Sequence, residues 1–266
     1  MVSISSRKKV FLIRDLKDYR NIELKYYVVA NVAIIMCLYG FSFEEISIEN
    51  IVAEIVKIGL FSYILYVYIF IIDSIIPSQL KYRICYLFIF KQPGCSIFTQ
   101  IRNGKVDPRF TREDAMTLYA DIFSKIDREQ QIEQSDKRKR GQVENSAWYR
   151  IYSKYRNDDM IFTANRDYLL CRDLCITTVL ILIFYLLSCI FLSNPYQCKV
   201  LIFLVVEFIF TDLGFWYRGK RLAYNVISLD ISKECKCECE YKCEYKQQWR
   251  ERAENTEENT GAGELR

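Results

Sequence analysis

One acidic side chain lies inside an apolar block of this sequence, where a carboxyl group could do membrane chemistry. Glu207 stands about seven residues into the block 200–216. A charged side chain at this depth of a bilayer costs about 3 kcal/mol unless it is paired, protonated or hydrated. Its expected partners are Ser62, Tyr63 and Tyr66 in the second apolar block. Two interpretations stay open, an ion path or gate, and a protonated carboxyl that bonds adjacent helices.

Three further polar residues accompany the apolar blocks. Asn31 lies in the first block, and Asp73 and Asp212 lie nearer the predicted cytoplasmic face. Basic residues such as Arg83 and Arg218 are close enough in the sequence to reach the two aspartates. These residues extend the candidate intramembrane polar set beyond Glu207.

Cysteine thiolates form the second candidate site. The chain has 11 cysteines, an odd number, spread through apolar blocks and the tail, which does not resemble an extracellular disulfide framework. The weak candidates for a metal site are Cys235, Cys237, Cys239 and Cys243. Their spacing lacks the paired Cys-x-x-Cys of structural zinc sites, and it also fits a low-complexity repeat.

Catalytic chemistry has little support in the residue types. The chain has no histidine, which removes the commonest general base and metal ligand. It also has no glycine-rich phosphate loop. Polar clusters that could serve an enzyme are limited to Asp107 with Arg109, and the pair Arg172 and Asp173. We therefore predict a non-enzymatic protein with no catalytic residue and no cofactor.

The elements that must position these residues are predicted to be membrane helices. A helix needs about 20 apolar residues to cross a hydrocarbon layer about 30 Å thick. Gly and Pro number only 9 and 4, too few for a β-rich fold. The sequence predicts an all-α integral membrane protein with four transmembrane helices, near residues 26–43, 55–76, 174–192 and 200–216.

Basic residues predict the orientation of these helices. Lys and Arg are concentrated before the first block, between the second and third, and after the fourth, whereas only Lys57 and Lys199 lie in or next to the other two loops. The side rich in Lys and Arg faces the cytoplasm. We therefore predict a multi-pass inner-membrane protein with cytoplasmic N and C termini. The predicted parts are a cytoplasmic amphipathic segment 1–25, a transmembrane hairpin 26–76, a cytoplasmic helical domain 77–173, a second hairpin 174–216 and a cytoplasmic, Cys-rich, largely disordered tail 217–266.

The segment between the second and third spans is too long for a linker and is predicted to be mainly helical. Thr111 with Asp114 indicates a helix N-terminus, and a polar loop or frayed helix is expected over 127–144. The basic run 137–140 is expected to be solvated, and nucleic acid is not an expected partner. The domain core or a partner surface is expected to include Trp148, Tyr149, Tyr152, Arg172 and Asp173.

Four motifs in this domain carry a resemblance to known proteins. They are Pro93-Gly94-x-x-x-Phe98, Asp107-Pro108-Arg109, Trp148-Tyr149-Arg150-x-Tyr152 and Arg172-Asp173 before a span. Together they resemble an uncharacterised family of bacterial multi-pass inner-membrane proteins, over the region 93–173 only. The resemblance implies a bacterial origin, and it carries no activity or catalytic residue with it.

Three functions are compatible with these features. The first is a non-enzymatic sensor or effector whose cytoplasmic domain couples a cytosolic protein or small-molecule signal to the membrane helices, by analogy in stress or anti-phage defence. The second is a channel or transporter subunit that uses Glu207. Four spans make a small transporter, so we expect a homo-oligomer in the lipid bilayer. The third is a membrane-bound enzyme, for which the sequence offers no positive signal.

Overall fold

The computed structural model describes residues 21–38, 48–86, 92–131, 137–191 and 198–261, and within these ranges it is helical, with no strand. Residues 1–20 of the predicted amphipathic segment 1–25 lie outside the described residues, and residues 21–25 form the start of the first helix. The helices are α1 (Asn21–Leu38), α2 (Ile48–Ile75), α3 (Ser78–Cys85), α4 (Ile97–Arg102), α5 (Arg112–Leu118), α6 (Ala120–Gln131), α7 (Lys137–Tyr155), α8 (Asp159–Phe191) and α9 (Cys198–Gly261), with a 3₁₀ turn at Pro93–Cys95.

Three helices in the described part are long and apolar enough to cross a membrane. They are α1, the Ile55–Ile75 part of α2, and α8. The predicted fourth span, 200–216, forms the first turns of α9 and is not among these three. Large apolar side chains on α2 and α8 face outward, for example Leu60 (61% exposed) and Phe191 (80%). Such exposure is expected where lipid rather than protein covers the side chains.

The chain divides into two compact units, and the first comprises residues 1–93 and 159–222. Within it, α2 and α3 both pack against α8. Pro77 follows α2 with extended backbone (φ −62°, ψ 142°) and caps the start of α3, so the chain bends between the two helices. An aromatic cluster joins three helices of this unit, and its members are Tyr82, Tyr86, Tyr168 and Phe215.

The second unit comprises residues 94–158 and 223–266. Thr111 begins α5 through a capping box, in which its hydroxyl accepts from the Asp114 N–H at 3.1 Å, as the sequence predicted. The core is made by α4 to α7 together with the middle of α9. Its fully buried side chains include Ile97, Phe98, Ile101, Ala115, Ala223, Val226 and Ile227.

The tail differs from its prediction. Residues 217–266 were expected to be largely disordered, but α9 continues without a break to Gly261. Residues 222–228 are all buried, so the beginning of this tail contributes to a core rather than leaving it. Glu, Lys, Gln and Arg are good helix formers, which is why a polar sequence can continue a helix that tertiary packing has nucleated.

Helix boundaries in the second unit also differ from the sequence interpretation. The region 127–144 was expected to be a loop or a frayed helix, but α6 continues to Gln131 and α7 begins at Lys137. By contrast, α8 is one helix of 33 residues from Asp159 to Phe191. This helix leads without a break from a polar region into the third apolar block.

Candidate functional site

Glu207 is held by a residue of another helix within the first unit. The Asn31 Nδ2 amide on α1 donates to Glu207 Oε1 at 2.9 Å, and it also donates to the Tyr27 carbonyl at 3.1 Å. Asn31 is only 1% exposed. The second oxygen of the carboxyl group, Oε2, and the Asn31 Oδ1 are buried without a hydrogen-bond partner among the described residues. The contact thus joins α1 to α9 and leaves two acceptor atoms unused.

The neighbouring polar contact joins α1 to α8. The Tyr27 and Thr178 hydroxyls lie 2.6 Å apart, and Thr178 also donates to the Leu174 carbonyl at 3.0 Å. Together the two contacts link α1, α8 and α9. The predicted partners on the second span are not those found, because Ser62 donates to its own helix at Ile58 and Tyr63 is 56% exposed.

Asp73 and Asp212 have different surroundings. Asp73 forms an ion pair with Lys81 at 2.5 Å, eight residues along the chain beyond the bend. Asp212 is 4% exposed, and its Oδ1 atom has no hydrogen bond within the described part of the chain. Arg218, which the sequence offered as a neighbour, pairs with Asp167 on α8 at 3.0 Å.

Arg172 and Asp173 form a buried ion pair with each other at 2.8 Å. The Arg172 guanidinium also lies 5.6 Å from the centre of the Tyr82 ring. The backbone carbonyl of Arg172 accepts from the Cys85 thiol at 3.6 Å. These contacts hold α3 against α8. Arg172 and Asp173 therefore have a structural role within the first unit.

The aromatic residues of α7 divide between packing and exposure. Trp148 stacks on Tyr152 with ring centres 5.3 Å apart and an angle of 16°. Tyr149 is 58% exposed, so it lies on the surface of the second unit. The aromatic core below α7 consists of Phe98 with Tyr119 and Phe123 in edge contacts at 5.4 and 6.1 Å.

A cavity of about 600 Å³ lies within the second unit, between one face of α7, the α5–α6 segment and the middle of α9. Its size is within the range of small-molecule binding sites. Cationic and acidic side chains line it along with apolar ones. The charged residues are Lys125, Lys139, Arg150, Lys154, Asp230 and Glu234, and the apolar ones are Leu118, Tyr119, Ile122, Val143, Ala147 and Ile151.

Asp230 is the buried charged group of this cavity, with a side chain only 4% exposed. Its Oδ2 atom accepts from the Tyr119 hydroxyl at 2.8 Å. Burial and the nearby Asp230 carboxylate raise the pKa of Tyr119 well above its usual range, so the phenol remains a neutral donor. Oδ1 has no hydrogen bond from the described residues, and the Lys154 ammonium is 3.6 Å away.

Comparison with known proteins gives no family. No protein-family model, curated protein or solved structure matches this chain. A functional site in this chain can therefore be recognised only from the geometry of the molecule itself.

A buried carboxyl group that the sequence interpretation did not single out lies on α7. Glu144 is 1% exposed and accepts from the Thr99 N–H at 3.1 Å and from the Thr99 hydroxyl at 2.5 Å. Burial raises its pKa despite these donors. Glu144 lies one helical turn from both Arg140 and Trp148, but the sequence did not indicate that it is buried, because a glutamate in a polar run is usually solvated. Its contacts bond α4 to α7.

The remaining predicted residues do not gather into one site. Asp107 and Arg109 form an ion pair at 2.7 Å, and the Arg109 guanidinium also donates to Asn225 on α9 at 2.8 Å. The hydrogen-bonded Arg109 guanidinium lowers the pKa of Asp107. Cys235 is exposed on α9, and the side chains of Cys237, Cys239 and Cys243 lie outside the described residues. Over the residues described, no group of three or more acidic, Cys or His side chains could hold a metal ion.

Proposed function

We propose that this chain is a non-enzymatic sensor or effector of a bacterial inner membrane. In this proposal the second unit receives a cytosolic signal or partner, and the membrane helices change their packing or permeability in response. Stress or anti-phage defence is the expected setting, by analogy with other small membrane proteins of this build.

The observation that carries the proposal is the course of α9. Its early turns belong to the first unit, with Asn31 bonded to Glu207, and from Ala223 onward it belongs to the second unit, with Asp230 in the cavity wall. A single helix that contributes buried residues to both units supports mechanical coupling, because an α-helix transmits a displacement along its axis. α8 adds a second connection between the units. It begins in the first unit at Asp159, and the preceding residue, Asp158, is the last residue of the second unit's segment 94–158.

The coupling is tested by kinking α9 at an exposed position next to the boundary. Arg221 is exposed, so its replacement changes little besides the helix backbone. Arg221→Pro removes one backbone hydrogen bond and kinks the helix at a cost of about 3 kcal/mol, whereas Arg221→Ala leaves the helix intact. We expect wild type and Arg221→Ala to depolarise expressing cells in a voltage-sensitive dye assay, and Arg221→Pro at equal abundance to fail. Equal depolarisation by all three would refute coupling through α9.

The proposed orientation has cytoplasmic N and C termini and follows from the distribution of Lys and Arg. Cys198 and Cys235 are both exposed, and 37 residues of α9 separate them, a rise of roughly 55 Å compared with a hydrocarbon layer of about 30 Å. In single-cysteine variants, an impermeant maleimide should label Cys198 in intact cells and Cys235 only after lysis. Labelling of Cys235 in intact cells would refute this orientation.

A second candidate function is an oligomeric channel or transporter subunit that uses Glu207. The observation in its favour is the pair of unused acceptors, Glu207 Oε2 and Asn31 Oδ1, beside the Asn31 hydrogen bond. A cation could be bound by two such oxygens. Single-channel recording of the purified chain in planar bilayers tests this, with the oligomer measured by native mass in detergent. A conductance that persists in Glu207→Gln would refute the role of this carboxyl group.

A further inference from the structure

One carboxyl group of the first unit joins two guanidinium groups, one from α8 and one from α9. Arg166 Nη2 lies 3.2 Å from Asp167 Oδ1, and Arg218 Nη1 lies 3.0 Å from Asp167 Oδ2. Guanidinium groups that share one carboxyl are close enough together to donate to a single phosphate group, which accepts charge-assisted hydrogen bonds from several donors at once. The cluster of Arg166, Asp167 and Arg218 therefore has the geometry of an anion site.

This cluster carries one positive charge more than its acid neutralises. Asp167 is the only acidic residue between positions 160 and 172 of α8, and α9 has none between positions 213 and 229. Among the described residues Arg218 donates one N–H, to Asp167, and its side chain is 44% exposed. A guanidinium has five N–H donors, so Arg218 can also donate to a ligand. The excess charge matches a ligand with a single negative charge.

An exposed apolar face of α9 leads to this cluster. Phe210, Leu213 and Tyr217 are exposed there, and their spacing places them on one side of the helix. Gly214 lies one turn before Arg218, and a Cβ atom at this glycine would meet no other atom within 4 Å. Lipid chains cover such faces of membrane helices, and the missing side chain of Gly214 leaves room for one chain to lie against the backbone.

The position of the cluster along α9 fits the headgroup layer of a bilayer. Arg218 is two residues beyond the apolar block 200–216, which is about 3 Å along a helix. The headgroup layer on each side of the hydrocarbon is about 5–7 Å thick. Trp216 and Tyr217 are at the same level, where amphipathic rings are enriched. With the early turns of α9 in the membrane, Arg218 reaches the lipid phosphates.

A free phosphate compound offers the same anion but would leave the neighbouring apolar face uncovered. A phospholipid covers both parts at once, with its phosphate at the arginines and an acyl chain beside Gly214. A zwitterionic phospholipid would also bring an ammonium group to a cluster that is already net positive. The arrangement therefore favours a phospholipid whose headgroup is anionic.

We infer that Arg166 and Arg218 bind the phosphate of an anionic phospholipid such as phosphatidylglycerol, with one acyl chain on the exposed face of α9 beside Gly214. Basic pockets between membrane helices are a common way to hold such headgroups. The inference rests on the proposed function for the membrane position of the early turns of α9. It adds a bound lipid to that function and assigns neither the signal nor an ion path.

Native mass spectrometry of the full chain in neutral detergent tests the site, by titration with dioleoyl phosphatidylglycerol or dioleoyl phosphatidylcholine. Wild type should bind phosphatidylglycerol at least about fivefold more tightly than phosphatidylcholine, and Arg218→Gln should weaken that binding about fivefold. This is the effect of one cationic side chain beside an anionic lipid. Arg221→Gln is the matched control, because it removes the same charge from an exposed position of α9 that does not pair with Asp167.

Asp167→Asn separates a lipid site from a purely structural ion pair. This variant and Arg218→Gln both break the pair, but Asp167→Asn keeps both cations and raises the net charge of the cluster by one. It should bind phosphatidylglycerol more tightly than wild type, whereas a purely structural pair predicts weaker binding in both variants. This comparison of Asp167→Asn with wild type remains decisive where Arg218→Gln does not fold.

Four results would overturn the inference. They are equal affinity for the two lipids, binding by Asp167→Asn that is no tighter than that of wild type, equal losses in Arg218→Gln and Arg221→Gln, and thermal stabilisation by millimolar inorganic phosphate equal to that by phosphatidylglycerol. The third would indicate diffuse attraction between the helix end and anionic lipid, and the fourth a site for free phosphate.

The outcomes also separate this inference from the proposed function. Binding of phosphatidylglycerol that depends on Arg218, without any depolarisation of cells, would support the lipid site and refute the sensor. Depolarisation that requires an intact α9, together with equal affinity for the two lipids, would support the sensor and refute the lipid site.

Discussion

The side-chain amide of Asn31 on α1 donates a hydrogen bond of 2.9 Å to the Glu207 carboxyl group on α9. The two residues are 176 positions apart in the chain. Apolar side chains surround the contact on both helices, including Val28, Val32 and Leu204, which are nearly inaccessible. A polar bond in such surroundings fixes the relative positions of the helices, because a shift would leave a donor and an acceptor unpaired.

The first prediction concerns this bond. Glu207→Gln keeps an oxygen that can accept from Asn31, so the folded protein should accumulate normally. Glu207→Leu leaves the Asn31 amide without its acceptor on α9 and should lower stability by about 1–3 kcal/mol. The double variant Asn31→Leu with Glu207→Leu should recover part of this loss, as a double-mutant cycle in detergent would measure. Purely additive effects would contradict a direct contribution of the bond.

Two glycines on α9 provide a matched pair for the second prediction. A Cβ atom at Gly219 would lie 2.8 Å from Pro93 Cγ and from a Tyr168 ring carbon, whereas Gly214 has open space around it. Gly219→Ala should therefore cost about 1–3 kcal/mol through overpacking. Gly214→Ala should stabilise the helix by about 1 kcal/mol. Thermal unfolding of the two variants in detergent gives the comparison, and a stabilising Gly219→Ala would contradict the close packing.

The third prediction separates packing from exposure on α7. Trp148 stacks on Tyr152 and its ring lies 2.9 Å from where a Cβ atom of Gly94 would be, whereas its neighbour Tyr149 is 58% exposed. Trp148→Ala should lower stability by about 2–4 kcal/mol, approaching the cost of truncating a core aromatic. Tyr149→Ala should change it by about 0.5 kcal/mol or less. Limited proteolysis of the second unit would rank them, and similar protease resistance for both would contradict the assignment.

The fourth prediction is a pH dependence caused by Glu144. Burial raises its pKa above the ordinary value of 4.5, so the folded state binds this proton more tightly than the unfolded state. Its contribution to stability is therefore fully present below about pH 4.5 and is lost as the pH rises through the raised folded pKa. Glu144→Gln should remove this decline above pH 4.5.

Thermal unfolding of wild type and Glu144→Gln across that pH range measures the difference. Glu113→Gln is the control, because Glu113 is exposed on α5 and should leave the wild-type dependence unchanged. Parallel curves for Glu144→Gln and wild type would show that burial does not perturb this carboxyl group.

The sequence by itself determined the helical class and three of the four predicted apolar helices, because both depend on local composition. The apolar runs in α2 and α8 are long enough to be recognised without a partner, and the Thr111 capping box is a contact between residues three apart. The bend at Pro77 likewise follows from the missing N–H and restricted backbone of proline.

Only the tertiary structure decided which distant residues meet. Glu207 was recognised from its apolar surroundings, but its partner proved to be Asn31 rather than Ser62, since the rotation of each helix determines which side chains face each other. The sequence did not indicate that Asp230 and Glu144 are buried. A lone acidic residue in a polar or mixed segment is predicted to be solvated, and only the packing of the helices shows that it is not. For the same reason the middle of α9 was predicted as part of a tail. In the structure its small and apolar residues pack in the core of the second unit, and its Asp230 and Glu234 line the cavity.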